Sequence, residues 1–422
     1  MDNFFTFDKV YAGNCTRYRI SFLGIRFSFK IRTKYSVEAK KEYVNFLEDS
    51  IKKERSEFVK IDEHNYAGTA PAKLIAFYLP QYHQIPLNDD AHGKGFTDWN
   101  NAASAMPVFK GHHQPHIPYD TGFYDLSSDK VMERQIELAS MHGIHAFCFH
   151  YYWFSGKRLL EKPIFNYLNN KKLNFPFCFC WANENWSKLW DGGNRQVMME
   201  QSLADGDADK FFDDILPFWR DDRYLKVDGK PILLIYRLNL FEKNKIDFFI
   251  NRIRERAVEV GFNGVHCCGV ITSSMSTFDY DVDAWVEFPP HKLNADVLDK
   301  KIYLNRHFKG LVLDMRKYIA KTELSNINST FSRLYKSVFP GWDNTARKVL
   351  SGALIFICPP ETYKKWLKKT IEWTIEHHVQ DDRFVFINAW NEWGEGAHLE
   401  PDTYYGYAYL QATREALEEA KG

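Results

Sequence analysis

The sequence predicts an α/β chain: a (β/α)8 TIM barrel behind a small N-terminal extension. Three observations carry this. Short apolar runs alternate with helical patterns about eight times across residues 72–422. The runs are apolar almost throughout, as strands buried on both faces of a parallel sheet must be. The segments after the runs are crowded with Trp, Tyr, Asn and carboxylates, which suits the C-terminal mouth of such a barrel. A doubly wound sheet shares this element order. However, no Gly-x-Gly-x-x-Gly follows any run and no Gly-x-x-x-x-Gly-Lys-Ser/Thr is present, so neither a dinucleotide site nor a phosphate loop is legible.

Residues 1–70 form the extension. Ile20 to Arg32 alternates apolar with polar or basic residues, which predicts a strand or hairpin. From Lys9 to Lys41 nine basic residues face one acid, Glu38. This is either a solvated face or a contact for an anionic membrane surface or a biosynthetic partner. A polar helical pattern follows over 37–60, and Ala67 to Pro71 reads as a linker. The barrel domain takes 72–422. Its strands are expected at 74–79, 144–152, 175–181, 231–237, 265–271, 284–288 and 383–389, with the seventh strand and its loop within 338–344. Helices are expected near 129–142, 207–219, 246–260, 362–378 and 407–420. In the third of these, Ile246, Phe249, Ile250, Ile253 and Ala257 repeat at the helical period.

The chain has 422 residues, enough for one large domain. Lys+Arg and Asp+Glu both number 55, so net charge singles out no partner, and no nucleic acid is expected. The seven cysteines are odd in number and mostly sit inside apolar runs, which predicts buried free thiols and a reducing compartment. No stretch has the length of a membrane helix, and Met1 to Gly13 lacks the pattern of a secretory signal. A cytoplasmic location follows, with membrane association open through the basic extension.

Candidate site residues lie after the strands. They are Tyr78, Gln81 and His83 after the first; Trp99 in the long loop beyond; His150, Tyr152 and Trp153 after the second; Trp181, Asn183, Glu184 and Trp186, with Trp190 and Asp191, after the third. Glu287 follows the sixth, Trp342 and Asp343 the seventh, and Asn391, Glu392, Trp393 and Glu395 the eighth. Aromatic faces stack on the C–H face of sugar rings, while amides and carboxylates bond hydroxyls, so an oligo- or polysaccharide partner is expected. Trp181, Trp186 and Trp342 are expected to form stacking walls. Glu392 and Glu395 stand three residues apart beside Trp393, with Gly394 and Gly396 flanking the second. Two such carboxylates in an aromatic setting have their pKa values pushed apart, which equips them for acid/base work. Glu184 is a second candidate acid, with Glu392 then the nucleophile. His112, His113 and His116 lack any accompanying ligand spacing, so no metal and no cofactor are expected.

Phe77 to His83, Gly95-Phe96-Thr97-Asp98-Trp99, Trp181 to Trp186, Phe339 to Asn344 and Asn391 to Gly396 together resemble the motifs of the WbsX-like proteins. That family is similar to glycoside hydrolase family 99, the endo-α-mannosidases, and its members are often labelled glycosyltransferases because they occur in bacterial surface-polysaccharide gene clusters. The resemblance spans about residues 72–420. It implies a (β/α)8 barrel and a retaining enzyme acting on α-linked sugars of an O-antigen or capsule type of polysaccharide. It also implies that Glu392 takes the proton of the sugar 2-hydroxyl, giving a 1,2-anhydro intermediate, and that Glu395 is the acid/base at the leaving oxygen. Position 394 is Gly where the mannosidases commonly carry His, so their substrate does not transfer. A glycosyltransferase of polysaccharide biosynthesis and a non-catalytic glycan-binding protein are the alternatives. The first would need a diphosphate site, and the second no convergent carboxylates.

Overall fold

The computed structural model describes residues 5–12, 15–22, 25–32, 41, 44–45, 57–188, 196–293, 295–298, 303–305, 307–321, 331, 333–348 and 352–420. The chain forms two compact units. One comprises residues 1–56, 106–114 and 299–308, and the other 57–105, 115–298 and 309–422. In the first, Phe5–Ala12, Cys15–Phe22 and Ile25–Arg32 form an antiparallel sheet in which Ile20 pairs with Phe27. The alternation over 20–32 is the sequence sign of that pairing. The helical pattern over 37–60 falls largely outside the described residues.

The second unit is a closed parallel barrel. Its strands are β1 (Lys73–Tyr78), β2 (Ile144–Phe154), β3 (Phe177–Trp181), β4 (Lys230–Ile235), β5 (His266–Ile271), β6 (Ala284–Glu287), β7 (Leu334–Val338) and β8 (Phe384–Ile387). Each pairs in parallel with the next. β8 pairs with β1, Phe386 opposite Ile75, which closes the sheet and leaves no edge. Helices Asp129–Met141, Asp207–Trp219, Lys243–Glu259, Pro360–His377 and Ala408–Glu419 match the helical patterns of the sequence.

β7 needs a correction. The apolar reading began this strand at Val338, where it ends. Lys336 and Ser337 break its hydropathy pattern, yet Lys336 is 2% exposed. Its ammonium lies 2.9 Å from Glu287 Oε1 and over the Trp373 ring. A buried, paired lysine hid the strand. Trp342–Asp343 belongs instead to a four-stranded sheet with Asp296–Val297, Leu311–Asp314 and Leu354–Ile357.

Period-2 alternation decides which strand-end residues face the barrel axis. Phe77, His150, Phe288 and Phe386 meet inside. Cys148, Cys178, Cys180 and Cys268 neighbour one another, and burial raises the Cys148 thiol. The six cysteines described are free and buried. Residues of the other parity point outward: Phe179 packs on Phe218, and Trp181 on Phe211 and Phe249 of two outer helices. Among the described residues no helix is long and apolar enough to cross a membrane.

Candidate active site

β8 ends at Ile387, and the chain then folds into a miniature hairpin. Asn391–Glu392 pairs antiparallel with Ala397–His398, and a 3-10 turn, Trp393–Glu395, joins them. Two glycines make this turn possible. Gly396 has φ +59°, and a Cβ there would stand 2.9 Å from Asp343 Cβ. At Gly394 a Cβ would strike Asp98 Oδ2 and come within 2.7 Å of Arg347 Nη2.

Arg347 is the centre of the site's electrostatics. It follows Trp342–Asp343 and the 3-10 turn Asn344–Ala346. Asp343 Oδ1 accepts from Thr345 N at 3.0 Å, and Asn344 Oδ1 from Leu354 N at 2.7 Å, so the side sheet fixes the arginine's origin. Arg347 Nη2 lies 2.8 Å from Glu392 Oε1, Nη1 lies 3.2 Å from Glu395 Oε1, and the guanidinium also pairs with Asp98. Gln81 Nε2 donates to Asp98 Oδ2 at 2.9 Å. Three carboxylates thus share one guanidinium; Asp98 and Glu392 are buried, and Glu395 keeps 24% of its side chain exposed. Burial pushes Glu392 and Glu395 upward, and Arg347 opposes that shift in both. Burial penalises the charge on Arg347, but Asp98, Glu392 and Glu395 hold it protonated. Like charges this close retain a proton between them. The guanidinium is nearer Glu392, at 2.8 Å against 3.2 Å for Glu395, while burial pushes the Glu392 carboxyl up further than that of Glu395.

Behind the turn lies a bonded layer. Trp393 N donates to Tyr82 Oη at 2.9 Å, and Trp393 Nε1 to Glu400 Oε2 at 2.7 Å. Glu400 also accepts from Gln135 Nε2 at 2.6 Å and Tyr124 Oη at 2.8 Å, and burial raises it to about 7. His398 stacks on Trp393 with ring centres 3.7 Å apart. Its Nδ1 donates to the Glu400 carbonyl, so its Nε2 is the acceptor facing His116 Nδ1 at 2.8 Å.

The structure gathers some of the expected residues and removes others. Gln81, Trp186 and Asp98 line one small cavity with Asn88, His92 and Phe96. Tyr152 stands against Trp186, and the Glu392 charge raises its hydroxyl further after burial. His150 points inward with Nδ1 buried and unpartnered among the described residues. Glu184 pairs with Arg237, and both Glu184 and Glu395 act on the nearby Tyr236 hydroxyl.

Other expected residues are bonded or packed within the framework. Tyr78, Trp153 and Trp181 have outward parity. Tyr78 Oη donates to Gln135, and Trp181 Nε1 to the Trp153 carbonyl. Trp99 and Trp393 pack on each other beneath the turn. Asn391 brackets the backbone of Leu79 and Asn183 that of Arg237, each through both amide atoms, so these two asparagines fasten neighbouring strand ends. Glu287 is tied to Lys336, and Asp343 caps its own turn; Trp342 is only partly buried and packs on the core. His83 lines a different cavity, taken up below. Trp190 and Asp191 lie outside the described residues. Trp181→Ala is therefore expected to cost about 3–5 kcal/mol of folding stability, with glycan affinity of the folded fraction unchanged. Chemical denaturation beside binding measurements checks this.

Arg347, Asp98 and Tyr236 were not singled out from the sequence. The signal for Arg347 was its place three residues beyond Asn344, in a stretch already noted for Trp342 and Asp343.

A closed parallel barrel with a carboxylate pair on the loop after its last strand is a glycoside hydrolase-like architecture. The family model described as Glycosyltransferase WbsX matches residues 74–413, and the chain belongs to that family. Two relatives, each called "Uncharacterized protein WxcX", come from two strains of Xanthomonas campestris pv. campestris. Both are 41% identical over 354 residues, 83% of this chain and 50% of theirs. The chain thus spans about half the length of the curated relatives it matches. Among solved structures, it resembles the GH99 endo-alpha-mannosidase from Bacteroides thetaiotaomicron. The TM-score is 0.50 at 15% identity, covering 86% of this chain and 98% of that one, a likeness of fold.

Proposed function

We propose that this chain is a carbohydrate-active enzyme that cleaves or transfers α-linked sugars of a bacterial surface polysaccharide with retention, through Glu392 and Glu395. The observation that carries the reading is the single guanidinium of Arg347 spanning both carboxylates, 2.8 Å from one and 3.2 Å from the other. It supports a pair with one negative charge and one transferable proton.

In the proposed reaction Glu392 accepts the proton of the sugar 2-hydroxyl as O2 bonds to C1. The C1–O bond to the leaving group breaks, and Glu395 gives its proton to the departing oxygen. Water then attacks C1 while Glu395 takes its proton. The C1–O2 bond opens, and O2 recovers the proton from Glu392. Two inversions at C1 leave the configuration retained. If a sugar hydroxyl replaces water in the second half, the same groups transfer the glycosyl unit instead, which accommodates the family's transferase description.

The test is the purified protein with the surface polysaccharide of its own source, followed by NMR of the newly formed anomer. Retained α product, insensitive to EDTA, is expected. An inverted product, or turnover confined to a nucleotide-sugar donor, would sink the proposal.

A further inference from the structure

The loop leaving β1 passes Gln81 and reaches His83, a residue 3% exposed. Its Nδ1 lies 2.8 Å from the Pro80 carbonyl oxygen. A carbonyl only accepts, so Nδ1 carries the hydrogen, and the neutral ring offers Nε2 as a bare acceptor. Burial lowers the ring's pKa and keeps it neutral. Nε2 has no partner among the described residues. The ring lines a cavity of about 420 Å³, whose rim carries Asp89, Asp90, Asp125, Ser127 and Lys162. That volume falls in the range of small-molecule sites, roughly 300–1,000 Å³.

The bonding capacity of this cavity is mostly acceptor. Asp89 is occupied, taking Gly95 N at 2.8 Å and the Gln84 amide. Asp125 Oδ1 takes Ser127 N at 2.7 Å, and its other oxygen stays open. Asp90 and Lys162 have no hydrogen bond or ion pair among the described residues. The carboxylates do not cluster as ligands of one ion would. What fits is a ligand rich in hydroxyl donors. Three carboxylates against one ammonium repel an anion. The helix Pro86–His92 presents Asn88 and His92 to the cavity that holds Asp98, and Asp89 and Asp90 to this one. The two cavities therefore stand on either side of one short helix, the first joined to Glu392 through Asp98 and Arg347.

We propose that this cavity is a second carbohydrate subsite, which takes a neutral sugar residue of the glycan bound at Glu392 and Glu395 and rejects acidic sugars. It rests on the reading of the chain as glycan-active.

The test uses full-length protein carrying Glu392→Gln, labelled with ¹⁵N-histidine. It is titrated with neutral α-linked trisaccharides of mannose, glucose, galactose and rhamnose, and with trigalacturonic acid. A neutral trisaccharide is expected to move the unprotonated Nε2 resonance of His83, and Asp125→Asn to weaken that binding about tenfold. Trigalacturonic acid is expected to leave the resonance in place. A neutral sugar that perturbs other signals but not His83 overturns the subsite alone, as does a His83 response as large with the uronate. Silence everywhere, with every sugar, overturns both the subsite and the glycan reading beneath it. His83→Phe, which keeps the ring volume, is expected to abolish the binding lost in part by Asp125→Asn. Unchanged affinity in that variant also counts against the subsite.

Discussion

Glu395→Gln should lose activity on a natural linkage by roughly 10²–10⁴, yet retain far more on a nitrophenyl glycoside. The natural leaving oxygen is a poor anion and needs a proton, which the proposed reaction takes from Glu395. A nitrophenolate departs without it. Glu392→Gln should fail on both, because the 2-hydroxyl needs its base whatever leaves, and a 2-deoxy or 2-O-methyl substrate should be inert with the unmodified protein. The measurement is kcat/KM for both variants on both substrates. Rescue of Glu392→Gln instead of Glu395→Gln would reverse the roles. If Glu184→Gln alone shows the acid's pattern, the pair spans β3 and β8. Glu184 pairs with Arg237 and not with Arg347, the cation shared by Glu392 and Glu395, which argues against that outcome.

The second large effect should come from Arg347→Met. Removing one charged group that stabilises developing charge costs roughly 10²–10³ in turnover. The sign of the pH effect is fixed. The guanidinium lowers the pKa of both carboxyls, so its loss raises them, and the base is then protonated over a wider range. The acid limb of kcat/KM should move to higher pH. Arg347→Lys, which keeps a charge but not the fork, should move the limb less while still losing rate. An acid limb unchanged in Arg347→Met would show that the guanidinium does not govern the pair. Since the variant leaves two buried carboxylates, Asp98 and Glu392, without their cation, folding should be confirmed first by circular dichroism.

Much of the barrel was legible because strands buried on both faces are written as apolar runs, and helices as a 3.6-residue period. β7 was not, because Lys336 is buried by an ion pair that lies far away in sequence. The carboxylate pair was legible because both members sit on one turn. Arg347 and Asp98 were not, since what gives them meaning is a meeting across 249 residues of chain. The misplaced tryptophans have a simpler cause. Trp181 shares parity with Phe177 and Phe179, so strand alternation already assigned it to the helix side. Its position at a strand end marks it for the mouth of the barrel, while its parity turns it outward.

Gly394 has an evolutionary consequence. Any side chain at that position must occupy the space held by the Asp98 carboxylate and the Arg347 guanidinium. A side chain at 394 therefore requires the Asp98 carboxylate and the Arg347 guanidinium to move. A single substitution at 394 is expected to shift the cation that lies between Glu392 and Glu395. Contacting sites of this kind are strongly epistatic. Position 394 is therefore expected to change together with Asp98 or Arg347, so that the absence of one methyl group and the placing of a cation become a single heritable unit.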